Sequence, residues 1–289
     1  MINFTTIKKL ILNINRKTVY FLVFFCVSAP VLLGIKLSPA PIRTADDSFK
    51  IVDDKNNAVL ISIDFGPGTQ AELYSQAELV IEHLLRKKTP FALMTLYDQA
   101  MPFLEAIPEG VIKRLKSEGI EDIVYGRDWI NFGYQPNFQF AIINMAKSDD
   151  LSETLKTDFY GKNLRDFPIM GKIKNIKDFT VLFENSGLVG IFNLWIQFFQ
   201  KDGFKPLFIH GCTSISIPDA YNYYSSKLIS GLFEGISGAA WYEKLMQQNY
   251  PNRIATKSDL INTSVSFGQL LIIILIILGN LSLFFNKNG

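Results

Sequence analysis

The sequence predicts a single Rossmann-like α/β domain, a mainly parallel sheet flanked by helices, held between two transmembrane helices. Three observations carry this expectation. Short apolar runs of strand length alternate with helix-length amphipathic segments. The first such run, Ala58-Val-Leu-Ile-Ser-Ile-Asp64, passes straight into Phe65-Gly-Pro-Gly-Thr69 and a long helical pattern. Uncharged apolar stretches stand near both ends of the chain.

Residues 18–35 carry no charge, are rich in Val, Leu, Phe and Ile, and are just long enough to cross a bilayer. Lys8, Lys9, Arg16 and Lys17 precede them, which places residues 1–17 in the cytoplasm by the positive-inside bias. Prolines follow each site where a signal peptidase would cut, so an uncleaved anchor is expected over a signal peptide. Residues 265–285 form the second uncharged run, leaving 286–289 as a short cytoplasmic tail. Within that run Gly279 and Asn280 offer a small surface and an amide to another helix. Two spans return the chain to its starting side, so the domain between them is expected outside the cytoplasm.

Residues 36–56 are proline-rich and then polar, and read as a linker. The domain is expected over 57–250, with a second linker over 251–264. After Thr69, a plausible helix N-cap, Leu73, Ala77, Val80, Ile81, Leu84 and Leu85 keep helical spacing. Residues 90–96 predict a second strand buried on both faces, ending near Asp98. A helix around 109–119 follows, then a third strand centred on 128–132 and a short helix over 138–145. Residues 148–177 are irregular and long for a connection. Residues 179–183 predict a fourth strand ending in Glu184-Asn-Ser-Gly187, and 191–200 an apolar helix. Residues 206–210 predict a fifth strand, with a turn beginning at Gly211. The run 230–245 closes the domain.

A net charge of +2 with 19% charged residues shows no nucleic-acid footprint. Cys26 lies in the first apolar run and Cys212 deep in the domain, which rules out a disulfide scaffold.

Open α/β sheets bind ligands at the carboxyl ends of their strands. The candidate ligand residues are therefore Asp64, Thr69, Asp98, Glu184, Asn185, Cys212 and Thr213. An acidic sheet edge suits hydrolysis or polar-ligand binding, although strand-end acids also serve as caps and turn formers. The Phe65–Thr69 turn lacks both common phosphate-loop patterns, Pro67 removes a donor, and Asp64 repels phosphate, so a plain turn is the simpler reading. His210-Gly-Cys212 brings an imidazole near a thiol, as a nucleophilic cysteine requires, but a structural histidine accounts for the same residues. His83 has no ligand-spaced partner, and no metal site or cofactor is assigned.

The Asp64–Thr69 turn, the segment Tyr125-Gly-Arg-Asp-Trp-Ile-Asn-Phe-Gly-Tyr134 and the stretch Gly235-Ile-Ser-Gly-Ala-Ala-Trp-Tyr-Glu243 resemble a family of bacterial membrane-anchored α/β proteins with no assigned activity. The likeness extends over most of the chain and implies its layout, not a reaction.

Two functions follow. In the first the domain is an assembly module, forming a homo-oligomer or joining other membrane proteins at the bilayer. Its contact surface is expected at Gly231, Gly235 and Gly238, which let a backbone approach, with Trp241 and Tyr242 at the edge; the competing reading is internal, the same glycines seating this helix against its own sheet. In the second it is a membrane-tethered, hydrolase-like enzyme or ligand-binding domain using the acidic strand ends.

Overall fold

The computed structural model describes residues 15–188, 190–199 and 204–287. The basic segment containing Lys8 and Lys9, the end of the tail, and Gln200 lie outside the described residues. The chain forms two compact units, Met1–Pro39 with Lys257–Gly289, and Ala40–Thr256.

In the first unit, helices α1 (Arg16–Leu33) and α10 (Ser258–Lys287) are long and apolar enough to cross a membrane. They pack along each other at Gly268, where an added Cβ would lie 3.4 Å from Val27 Cγ2. The Leu37 N–H donates to Thr263 Oγ1 at 2.9 Å. Gly279 and Asn280, which could have served a helix contact or simply lain near the interface, make none here: nothing lies within 4 Å of where a Cβ on Gly279 would be, and Asn280 is exposed. A small residue marks a helix contact only where its own face turns toward the neighbour.

The second unit is a six-stranded, wholly parallel sheet of β1 (Val59–Asp64), β2 (Phe91–Thr95), β3 (Trp129–Tyr134), β4 (Val181–Ser186), β5 (Leu207–Cys212) and β6 (Gly231–Glu234). The order β3-β2-β1-β4-β5-β6 is the doubly wound arrangement, reversing direction between β1 and β4. β1, β2 and β4 are buried along their whole length, so β1, β2 and the first half of β4 are apolar almost without alternation, while Glu184, Asn185 and Ser186 carry polar groups into the interior.

One face carries α5 (Phe138–Lys147), α6 (Leu151–Leu155), α7 (Ile191–Phe199) and α8 (Ile217–Ser225). There Leu60, Met94, Ile130, Leu182, Phe208 and Leu232 form the sheet side of a core closed by Ile142, Trp195 and Phe199. The opposite layer holds α2 (Arg43–Asp53), α3 (Gln70–Lys87), α4 (Phe103–Ser117) and α9 (Gly235–Asn249), packed on one another.

Three expectations are corrected here. The segment read as a linker contains α2, whose Ala45, Phe49 and Val52 are buried at helical spacing. Its charged residues mask that pattern in the sequence, but they bind inward: Trp241 Nε1 donates to Asp46, and Tyr224 OH to Asp47. α4 begins at Phe103 and contains Pro108. A helix-interior proline leaves the carbonyl four residues back without its N–H donor, and Asn131 Nδ2 donates to that Leu104 oxygen at 3.1 Å. Finally, β4 and β5 each run further than expected, carrying Glu184, Asn185, Gly211 and Cys212 inside the sheet.

Candidate functional site

Strand alternation decides which side chains meet. Ser62, Glu184 and His210 are register partners across β1, β4 and β5, so they point to one face of the sheet. His210 Nδ1 donates to Glu184 Oε2 at 2.5 Å, and Glu184 is fully buried. Asp64, two residues along from Ser62, accepts from Ser62 Oγ at 2.5 Å, Leu96 N at 2.6 Å and Thr95 Oγ1 at 3.1 Å. Burial, and then the nearby charge of Glu184, push the Asp64 carboxyl up to about 7 against the opposing hydrogen bonds. A polar row thus runs through the core from the end of β2 to His210.

His210 ends that row at a cleft of ≈ 290 Å³ over the carboxyl ends of β4 and β5, lined also by residues of α7 and α8. Phe192 packs on the His210 ring with centroids 4.4 Å apart. With Nδ1 held by Glu184, Nε2 is the ring nitrogen left for the cleft. The second carboxylate oxygen, Glu184 Oε1, is buried with no hydrogen-bond partner. An unsatisfied buried carboxylate oxygen is costly, and a catalytic role is one of the few reasons a fold keeps one. Among the described residues, no Ser, Thr or Cys side chain is hydrogen-bonded to His210.

The crevice between β1 and β4, where doubly wound sheets hold nucleotides, is occupied by the chain itself. A Cβ on Gly187 would fall 2.6 Å from Thr69 Oγ1, and Ser186 Oγ is 3.3 Å from the Asp64 carbonyl. Thr69 occupies the N-cap position of α3 but makes no side-chain capping bond. The open space lies one strand further on.

The remaining expected site residues go elsewhere. Asp98 is exposed in a 3₁₀ turn, where it accepts from Gln99 N, and it does not join Asp64 and Glu184. Asn185 faces the opposite layer and donates to the Leu73 carbonyl, because it is one residue out of phase with Glu184. Cys212 shares a face with His210, but its Sγ donates to the Phe233 carbonyl and burial pushes its thiol up to about 12. That environment disfavours a thiolate nucleophile, so the imidazole–thiol pairing is corrected to an imidazole–carboxylate one. Thr213 is nearly buried just past β5, with Oγ1 3.3 Å from Ser216 Oγ. Among the described residues no group of three or more His, Cys, Asp or Glu is placed to hold a metal ion.

Of the two readings of the small-residue stretch, the structure has the internal one in place of the intermolecular contact. Gly231 lies in β6 and backs onto Ser48 of α2; Gly235, at φ +55°, faces Ser214 and Glu72; Gly238 abuts the Phe233 backbone at 3.0 Å. Tyr242 is fully buried and hydrogen-bonded to His83 Nδ1 at 2.7 Å, and Trp241 is tied to Asp46. The room left by these glycines is filled by their own chain.

Sequence reasoning missed the cleft wall as a unit. Asp219, Asn222 and Tyr223 stand at i, i+3 and i+4 on α8, a spacing that puts them on one helix face. That signal was visible in Ile217-Pro-Asp-Ala-Tyr-Asn-Tyr-Tyr224.

The fold and site define a doubly wound α/β domain whose buried acid–histidine row opens into one cleft. No family model, no curated protein and no solved structure matches the chain.

Proposed function

We propose that the domain binds a small polar molecule in the β4/β5 cleft and that His210 moves a proton to or from it. Glu184 would fix the ring's orientation and tautomer and stabilise the imidazolium when it forms. The observation that carries this reading is that His210 both lines the cleft and is bound through Nδ1 to a fully buried carboxylate. With no hydroxyl or thiol among the described residues hydrogen-bonded to His210, water or a group on the ligand would be the proton donor, as in direct hydrolysis or isomerisation.

The chain has two histidines, His83 and His210, which makes the test direct. With ¹⁵N-histidine labelling of the full-length protein, addition of a library of small polar metabolites should move the His210 ring signals. Buried His83, whose imidazole burial pulls down to about 4, serves as the internal reference. If no compound moves His210, or both histidines respond alike, the reading is wrong.

We further infer that α1 and α10 anchor the chain in a lipid bilayer with both ends cytoplasmic and the domain outside. Arg16 and Lys17 at the start of α1 support this orientation. With Cys26 and Cys212 replaced by Ser, an Ala40→Cys variant should react with a membrane-impermeant maleimide on intact cells. Reaction only after permeabilisation reverses the orientation. Any assembly role falls to the apolar faces of these two helices, since the Gly231–Gly238 space is filled from within.

A further inference from the structure

We propose that the cleft is built for a neutral, hydroxyl-rich ligand, a single sugar unit or a sugar at the end of a glycan. The inference rests on the reading of the cleft as a ligand site and names the ligand's chemistry. Among the described residues its wall contains no Lys or Arg. Phosphate and carboxylate ligands are recognised by such cations, or by free helix N-termini. The first turn of α8 carries the chain's own Asp219, while the first turn of α7, with Phe192 and Asn193 in the wall, carries no acid. The Glu184 carboxylate behind His210 adds a second negative group close to the floor. An anion entering the cleft would face both carboxylates and, among the described residues, no Lys or Arg, with only the His210 ring and the start of α7 to offset them.

What lines the cleft instead is a mixed set of neutral donors and acceptors. Asn193 and Asn222 each offer an amide, which pairs with a hydroxyl in either direction, while Asp219 accepts from hydroxyls. Asn193 Oδ1 is taken by the Tyr223 hydroxyl at 2.8 Å, which fixes the amide and leaves its NH₂ for the ligand. The Tyr223 ring meets Phe192 edge-on at 4.6 Å, so an apolar wall stands beside the polar rim. A sugar ring presents both features, hydroxyls around its rim and C–H groups on its faces. The ≈ 290 Å³ volume is at the small end of ligand sites, which run from about 300 to 1,000 Å³, and suits one such ring. An organic cation would be drawn to Asp219, but one exposed carboxylate among amides and hydroxyls is a poor cage for it.

The experiment uses the full chain in detergent with both histidines ¹⁵N-labelled. Neutral probes are methyl glucoside, methyl galactoside and N-acetylglucosamine; charged probes are inorganic phosphate, adenosine monophosphate and putrescine. At least one neutral sugar should shift His210 in a saturable way, and none of the charged probes should. Asp219→Ala and Asn222→Ala should each weaken that binding about 10-fold, the effect of losing one good hydrogen bond. Both residues are exposed, so unchanged thermal unfolding of these variants shows that the fold is kept. If only charged probes shift His210, the sugar inference fails while the proton-transfer reading stands. If no probe or metabolite moves His210, both fail. Sugar binding that neither substitution weakens also overturns the inference, because the ligand would then lie elsewhere.

Discussion

Glu184 and His210 are register partners on adjacent parallel strands, joined by a hydrogen bond from ring Nδ1 to carboxylate Oε2. The bond fixes which ring nitrogen carries hydrogen, and hence which one is left for the cleft. Glu184→Gln keeps the shape, but the amide accepts or donates through different atoms and loses the charge. We expect that variant to redistribute the His210 tautomers, seen in its ¹⁵N ring shifts, with His83 unmoved. Identical His210 spectra in the two proteins would show that Glu184 does not orient the ring.

Asp64 predicts a pH dependence of stability with a definite sign. Its carboxyl is raised to about 7 in the folded state against 3.8 as a free group, so the folded state holds the proton more tightly. Between these values the native protein binds more protons than the unfolded one, and stability falls as pH rises. The loss is complete above about 7 and is on the order of a few kcal/mol. Asp64→Asn imitates the neutral acid, with its amide NH₂ able to donate to Ser62 Oγ. Denaturant titrations from pH 4 to 8 should show a flatter profile for the variant and greater stability than wild type at pH 8. Equal slopes would contradict the assignment.

Gly211 is the narrow point of β5. An added Cβ would lie 2.5 Å from Gln76 Oε1 and 2.8 Å from Asn185 Oδ1, both buried. Gln76 is held by bonds to the Cys212 and Gly235 carbonyls, and Asn185 by its bond to Leu73, so neither can swing aside freely. Gly211→Ala should therefore destabilise the domain by about 1–3 kcal/mol, the usual cost of overpacking. Chemical denaturation measures it directly, and a neutral result would mean that the amides reorganise at no cost.

Arg253 is fully buried between α3 and α9, donating to both oxygens of Glu82 and to Glu243. Burial alone would raise the Glu82 carboxyl, but hydrogen bonds and charge from Arg253, with Arg114 and Arg86, hold it at about 2. Arg253→Ala leaves two buried carboxylates without this partner and should cost about 3–5 kcal/mol. The combined Arg253→Met, Glu82→Gln, Glu243→Gln protein should recover much of that loss, as equilibrium unfolding of the two variants would show.

Cys212 should be inert in the folded protein. In a Cys26→Ser background its buried thiol, pushed up to about 12, should resist a disulfide reagent at pH 8 until denaturant unfolds the domain. Rapid modification of the native protein would revive Cys212 as a nucleophile.

The doubly wound sheet was legible because its strands are buried on both faces. That demand leaves near-continuous apolar runs, as in Ala58–Asp64 and Pro90–Leu96, and amphipathic helices between them carry the complementary period. The two long apolar helices were legible for the same reason, since hydrophobicity over enough residues needs no partner to be read. β6 was hidden because four residues rich in Gly and Phe run directly into a helix with no turn to mark the boundary. Helix α2 was hidden by charges that find their partners on α8 and α9, far away in sequence.

The site divided along the same line. The sequence by itself placed Asp64 and Glu184 near the carboxyl ends of their strands, because strand ends follow from local pattern. Only the tertiary structure decided which of them meet. A shift of one residue turns Asn185 away from Glu184, and two further residues of strand make His210 and Cys212 neighbours on one face. Of those two, His210 reaches Glu184 while Cys212 turns to a backbone carbonyl. Likewise the glycines, which left room for either a second subunit or the chain's own backbone, are covered by Ser48, Ser214 and Phe233 of the same chain. Periodicity reports which face a residue takes, but what stands opposite that face is set by strand order and register, and these are properties of the whole sheet.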